Sequence, residues 1–203
     1  MIDEGYIKYR SVWTPAPALN DPAIDDLIKW RKPLFDAGLI GHYEQLGIGY
    51  GNLSVRQGQD HQFIISGTQT GHLPGLEAQH FALVTDCDPH TNTVISTGPA
   101  EPSSEAMTHA AIYAIDRKIR AVVHVHSERL WLGLKGVLPT TDAEVAYGTP
   151  AMAQAFEDLY RDTVFGTEGL AVMAGHDSGL ISTGRTLEEA TKRILSINEE
   201  FAG

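Results

Sequence analysis

The sequence predicts an α/β chain built on a largely antiparallel sheet covered by helices. Two observations carry this expectation. Strand-like stretches come in pairs separated by short polar turns, and helical stretches with recognisable starts precede and follow them. Asn52–Arg56 (NLSVR) alternates apolar and polar residues, Gln57–Asp60 is turn-like, and His61–Ser66 (HQFIIS) returns. The pattern repeats as FALVTDC, a DPHTN turn and TVIST. With no internal repeat, low-complexity tract or linker, these pairs belong in one sheet.

The remaining elements follow in chain order. Residues 1–23 hold Pro15, Pro17 and Pro22 with little periodicity, and read as an N-terminal arm or edge segment packed on a single domain spanning 24–203. Asp21 before Pro22 has the form of a helix cap with proline in the first turn. The helix AIDDLIKWRK then meets Pro33, which is expected to kink or end it. Gly38, Gly41, Gly47, Gly49 and Gly51 punctuate the next stretch. Pro102–Asp116 reads as a helix, Arg120–His126 as an apolar strand, and the residues after it as a mixed segment. A helix around Ala151–Asp162 and strands at Leu170–Ala174 and Leu180–Ser182 follow. The last helix, Leu187–Phe201, opens with Thr186 and has Glu189 three residues on, a capping-box spacing.

Composition narrows the function classes. The 203 residues are 42% hydrophobic and 20% charged, enough for a full core without staples. Acidic residues outnumber basic ones 26 to 15, for a formal charge of −11. That balance disfavours nucleic acid or an anionic membrane as partner, since both reward clustered Lys and Arg. An anionic substrate would therefore need positive potential from a metal, a helix N-terminus or a few placed cations. No stretch has the length of a membrane span, the first residues lack a signal-peptide pattern, and Cys87 is the single cysteine. Together these favour a cytoplasmic protein.

The chemistry concentrates in Ala121–Ser127, AVVHVHS. Alternate side chains of a strand share a face, so His124 and His126 point the same way, about 6.6 Å apart along the chain. Two imidazoles at that spacing can meet one zinc-sized ion. A solvated pair would be the plainer reading, but AVVHVH has no other polar residue and looks buried on both sides. A third ligand has to come from elsewhere. His176, between Gly175 and Gly179 after a strand, can approach a site closely, and spacing alone leaves it open whether it is a ligand or a loop residue. His42, His61, His72, His80 and His90 lie in polar contexts and read as solvated.

Gly98–Tyr113 (GPAEPSSEAMTHAAIY) supplies a second cluster. Ser103 or Ser104 can cap the helix, and two hydroxyls with the amides of a first turn suit an anion such as phosphate. Glu105 lies in that turn, where the helix dipole alone can favour a carboxylate. His109 shares its helical face four residues on, and reads as a supporting or packing residue. Gly51-Asn52 before one strand and Ser66-Gly67-Thr68 after its partner place small donors side by side, as a phosphate cradle or as turn chemistry.

Taken in order, GNLSVR, FIISGT, PSSE, the helix with His109 and Tyr113, AVVHVHS and GHDSG resemble the class II aldolase/adducin family. The resemblance runs from about Leu39 to the C-terminal helix. It implies a three-layer α/β/α domain, usually in a homotetramer with sites at subunit boundaries. It also implies a zinc ion (or Mn2+, Co2+ or Fe2+) held by His124, His126 and His176, and a catalytic glutamate at Glu105. The phosphate positions fall on Gly51, Asn52, Ser66, Gly67, Ser103 and Ser104, with Thr70-Gly71 offering a competing register. The implied substrate is a small sugar or sugar phosphate. Retro-aldol cleavage of a ketose would pass through a metal-stabilised enediolate; dehydration or epimerisation would use the same site. A third implied class is the non-catalytic assembly role of adducin head domains, which has no use for a buried metal site. Two departures stand out. Asp177 follows the late histidine where the family usually has glycine, which makes it a candidate for orienting or joining the metal site. The segment from Ser127 to Tyr147 is short, where the aldolases carry a tyrosine that protonates the leaving aldehyde.

Overall fold

The computed structural model describes residues 6–58 and 61–201. Its centre is an eight-stranded sheet. The strands in chain order are β1 (Arg10–Pro15), β4 (Asn52–Arg56), β5 (Phe63–Ser66), β6 (Phe81–Asp88), β7 (Thr93–Gly98), β8 (Ala121–His126), β9 (Leu170–Val172) and β10 (Gly179–Gly184). A separate pair, β2 (Gly41–Tyr43) and β3 (Ile48–Tyr50), falls between the first helix and β4. The spatial order is β1-β7-β6-β5-β4-β8-β10-β9, with every neighbour antiparallel except β1 beside β7. The expected hairpins are thus the β4–β5 and β6–β7 pairs; Gln59 and Asp60 of the first turn lie outside the described residues.

Helices α1 (Ala23–Asp36), α2 (Ala106–Ile115), α3 (Glu128–Leu134), α4 (Pro150–Asp162), α5 (Phe165–Glu168) and α6 (Leu187–Glu200) cover both faces. The alternation of β8 sorts them. Ala121, Val123 and Val125 point into a dry core with Ile24, Leu27 and Leu34 of α1, Leu130 and Leu134 of α3, and Ile194 of α6. Val122 points to the opposite core, with Met107 and Ile112 of α2, Met152 and Phe156 of α4, and Phe165 of α5. His124 and His126 share the face of Val122, as alternation requires. Asn52, Ser54 and Arg56 occupy the matching positions of β4, Asn52 opposite His124 and Ser54 opposite Val122. One side of the sheet is therefore apolar at its centre except for Ser182, whose hydroxyl donates to the Ala190 carbonyl of α6, and the other carries a polar line under α2.

Local expectations were met unevenly. The Asp21 carboxylate accepts from the Ala23 N–H at 2.8 Å, as a capping residue does. Thr186 Oγ1 accepts from the Glu189 N–H at 3.1 Å, while the Glu189 carboxylate turns back to the Arg185 N–H at 2.8 Å. Pro33 does not stop its helix, which runs on to Asp36. The cost of the missing donor falls on the carbonyl of Lys29, an exposed residue that water can serve, while Leu34 one position on is buried in the core. Helix α2 starts later than Pro102, at Ala106, because residues 101–103 pair with the end of β5 and the two residues after it. Among the described residues no helix is long and apolar enough to cross a membrane.

Candidate metal centre

His124 and His126 on β8 and His176 in the turn between β9 and β10 converge. Their Nε2 atoms are 3.0 Å (His124–His126), 3.2 Å (His126–His176) and 3.2 Å (His176–His124) apart, and all three residues are buried. The strand supplies two ligands for the reason seen in the sequence: the side chains two apart share a face. The third arrives because the turn is tight. Gly175 allows it, since a Cβ there would sit 2.1 Å from the Val145 carbonyl oxygen.

The protonation pattern can be deduced from partners. His124 Nδ1 lies 3.1 Å from the Leu180 carbonyl, which only accepts, so Nδ1 carries the proton and Nε2 presents a bare lone pair. His126 Nδ1 meets the Tyr43 hydroxyl at 3.1 Å. Burial, reinforced by the neighbouring imidazoles, holds His126 and His176 well below the usual histidine range, and burial lowers His124 to about 4. Three neutral rings aimed nitrogen to nitrogen repel through their lone pairs and cannot all be satisfied by one another. A tetrahedral ion with metal–nitrogen bonds of about 2.0–2.1 Å spaces its nitrogens by about 3.3 Å, close to this triangle. The triad can hold a divalent ion, and it is the one such group of His, Cys, Asp or Glu among the described residues.

Glu105 stands beside it. Only 1% exposed, it places Oε1 3.3 Å from His176 Nε2, and neither carboxylate oxygen has a hydrogen-bond donor. Burial pushes its carboxyl up to about 7, against a lowering contribution from Thr108 and Lys8. A carboxylate that is buried, unbonded and titrating near neutrality suits proton transfer better than dipole compensation.

A small cavity opens at Ser103 and Ser104, the two residues before Glu105. Gly51, Asn52, Gly67, Ser103 and Ser104 line it, joined by Thr68–Gly71. Ser66 does not: its hydroxyl turns between strands to accept from the Leu53 N–H at 3.4 Å, and its carbonyl accepts from Ser103 at 3.2 Å. Gly67 and the competing Thr70-Gly71 pair both line the cavity. The helix terminus also contributes less than expected. The Ser103, Glu105 and Ala106 amides are taken by the Ser66 carbonyl, the Ser103 hydroxyl and the Ser103 carbonyl. The cavity wall is held from behind by Arg31 of α1, 2% exposed, whose guanidinium donates to the carbonyls of Thr70 (3.1 Å) and Gly71 (3.3 Å).

His109 packs under the site rather than in it. Its Nδ1 is 2.7 Å from Ser54 Oγ, which is 2.7 Å from the Tyr113 hydroxyl. Asp177 is exposed and lies outside the group of potential ligands, because the turn directs His176 inward and its neighbour outward. His42, His61, His72 and His90 are exposed and His80 is half-buried, as their contexts suggested.

Three tyrosines were missed. Tyr43 and Tyr50 come from the β2–β3 pair, Tyr50 with its ring centre 5.3 Å from that of His126. The pair can lie there because Gly71 abuts it: a Cβ on Gly71 would sit 2.0 Å from the Gly41 carbonyl oxygen. Tyr147 lies with its ring centre 4.3 Å from His176. The available signal was the glycine density around Tyr43 and Tyr50, which marks close backbone approach.

No curated protein matches this chain. Solved structures do, each under 25% identical, so they speak to the fold. YgbL from Klebsiella pneumoniae, provisionally assigned as an aldolase/epimerase/decarboxylase, is 23% identical with TM-score 0.64, covering 88% of this chain and 86% of that one. L-fuculose-1-phosphate aldolase from Thermus thermophilus is 19% identical with TM-score 0.63, covering 88% and 90%. A sugar-phosphate aldolase from Thermotoga maritima is 15% identical with TM-score 0.67, covering 88% and 91%. The model of the class II aldolase and adducin N-terminal domain matches residues 37–202, and the chain belongs to that family.

Proposed function

We propose that the protein is a zinc-dependent lyase that cleaves a small phosphorylated ketose, with Glu105 as the acid/base. The observation that carries this reading is the buried Glu105 carboxyl, 3.3 Å from His176 of the triad and next in the chain to Ser103 and Ser104, which line the cavity. A divalent ion on His124, His126 and His176 supplies Lewis acidity toward a carbonyl and its neighbouring hydroxyl. Glu105 removes the proton from the adjacent carbon, or from the hydroxyl whose carbon–carbon bond breaks, and returns it to the product. Ser103, Ser104, Asn52 and the backbone at Gly51 and Gly67 orient the phosphate, which turns binding into positioning. The reading includes a homotetramer and a cytoplasmic location, for which exposed Leu132 and Val137 and the unpaired Cys87 are supporting features.

A second reading, dehydration or epimerisation on the same site, is favoured by one observation. The tyrosine hydroxyls around the triad are engaged: Tyr43 with His126 Nδ1, Tyr50 with the Gly38 carbonyl at 3.3 Å, and Tyr147 with the Tyr6 backbone. A leaving aldehyde would need a proton from elsewhere, such as a neighbouring subunit.

The test uses metal-loaded protein and dihydroxyacetone phosphate. Exchange of the proton beside its carbonyl is expected, and Glu105→Gln should slow it by about 100- to 10,000-fold. Exchange that persists in the variant removes Glu105 from the role. A panel of ketose phosphates scored for aldehyde release against water loss separates the two readings.

A further inference from the structure

The proposed anion site lacks cations of its own. The residues that line its cavity include no Lys or Arg, in a chain of formal charge −11. Arg31 behind the wall is spent on the Thr70 and Gly71 carbonyls; a further cation, also outside the family-matched region that starts at residue 37, stands beside the neighbouring histidine triad. Residues 6–9 run against the site through three separate contacts. The Tyr9 hydroxyl donates to the Ser103 carbonyl at 2.9 Å. The Tyr147 hydroxyl accepts from the Tyr6 N–H at 3.2 Å and donates to the Tyr6 carbonyl at 3.3 Å. The Lys8 ammonium sits 3.7 Å from the centre of the Tyr147 ring, the same ring that lies 4.3 Å from His176.

We propose that Tyr6–Tyr9 is a strap that completes the active site, and that Lys8, stacked on Tyr147, supplies the positive potential that retains an anionic substrate beside the histidine triad. Lys8 is a positioning residue that acts through Tyr147 and through space. The inference rests on the metal and anion reading given above, and deepens it by naming the source of charge.

One fixed positive charge acts with opposite sign on the two ligands of the site, attracting an anion and repelling a divalent cation. A strap that served only to hold Tyr147 in place would support both ligands alike. The experiment exploits that difference and needs no turnover. In the full-length protein, Lys8→Met keeps an apolar stem over Tyr147 and removes the charge; Lys8→Arg keeps the charge. Zinc affinity is measured by chelator competition, and inorganic phosphate affinity by calorimetry on zinc-loaded protein. Lys8→Met is expected to weaken phosphate binding by about three- to tenfold and to tighten zinc binding by a similar or smaller factor. Lys8→Arg should restore both, and added salt should shrink both differences. Unchanged affinities, or a fall in both together, overturn the proposal. Wild-type protein that binds neither zinc nor phosphate overturns the underlying site reading as well, whereas wild-type binding of both with no response to Lys8→Met counts against the strap alone.

Discussion

Four histidines are buried on the same side of the sheet, and they are handled in two different ways. His109 on α2 meets a neutral hydroxyl, Ser54, which in turn meets Tyr113; Arg56 closes the group by donating to the carbonyls of Tyr113, Ile119 (3.0 Å) and Asp116 (3.2 Å). This is polar mortar between a helix and a sheet. His124, His126 and His176 instead present nitrogen to nitrogen, and the first two are hydrogen-bonded on their outer sides. Burial depresses the basicity of all four, so burial does not mark the reactive set. What marks it is the identity of the group that each nitrogen faces.

The strongest way to break this comparison is to remove one member from each set. His126→Ala should lower bound divalent ion from near one equivalent to below about 0.2 per chain, while Ser54→Ala leaves the stoichiometry intact. Elemental analysis after dialysis decides it, and metal loss in Ser54→Ala would merge the two sets.

Acidity probes them jointly. In metal-free protein each buried histidine has a folded pKa below its unfolded value near 6.5, so the unfolded state binds more protons and stability falls as the pH drops from 7 toward 5. Glu105, raised from 4.5 to about 7, has the opposite sign: its contribution is present at low pH and is lost as the pH rises through 7. Four groups against one give a net loss on acidification. Urea midpoints at pH 7 and 5 should show it, and saturating zinc should steepen the pH dependence because protons compete for the ligands. A midpoint that rises on acidification would contradict the assignment of neutral imidazoles.

Smaller effects sharpen the picture. Tyr43→Phe removes the partner of His126 Nδ1 and should weaken metal binding by about 10- to 100-fold without altering its stoichiometry. When Nε2 is a ligand, Nδ1 must donate, so the Tyr43 oxygen is the acceptor. Tyr113→Phe should cost about 1–3 kcal/mol in denaturant unfolding, since Ser54 loses a buried partner, and should leave metal affinity unchanged.

The sequence shows the strand pairs, α2, α4, α6 and two of the three histidines of the candidate centre, because each rests on short-range periodicity. The features it hides depend on distant contacts. Strand β1 pairs with residues some 80 positions on, Arg10 with Thr93, and its prolines conceal it. Strands β2 and β3 have three residues each, too few for an alternation to register. Helix α3 has seven residues, yet Ser127 caps it and Leu130 and Leu134 are spaced to share a face. Ser66 was placed by its motif, and the structure turns it away because a strand end has two faces and its neighbours decide which is inward. Lys8 and Tyr147 are adjacent only in three dimensions, and nothing in YGTP announces a neighbour at the far end of the chain.

The three candidate metal ligands differ in what holds their backbones. Strand β8 is flanked on both sides, by β4 and β10, and every residue in it is buried, whereas His176 sits in a short turn closed by Met173 and Gly179. In hydrogen-exchange terms the amides of β8 belong with the last to open, at the free energy of global unfolding, while the 174–178 turn can open locally. Two ligands then act as a permanent anvil and the third as a latch. Metal exchange in the folded protein should proceed by release of His176 first, so its rate would follow the opening of that turn rather than the stability of the domain.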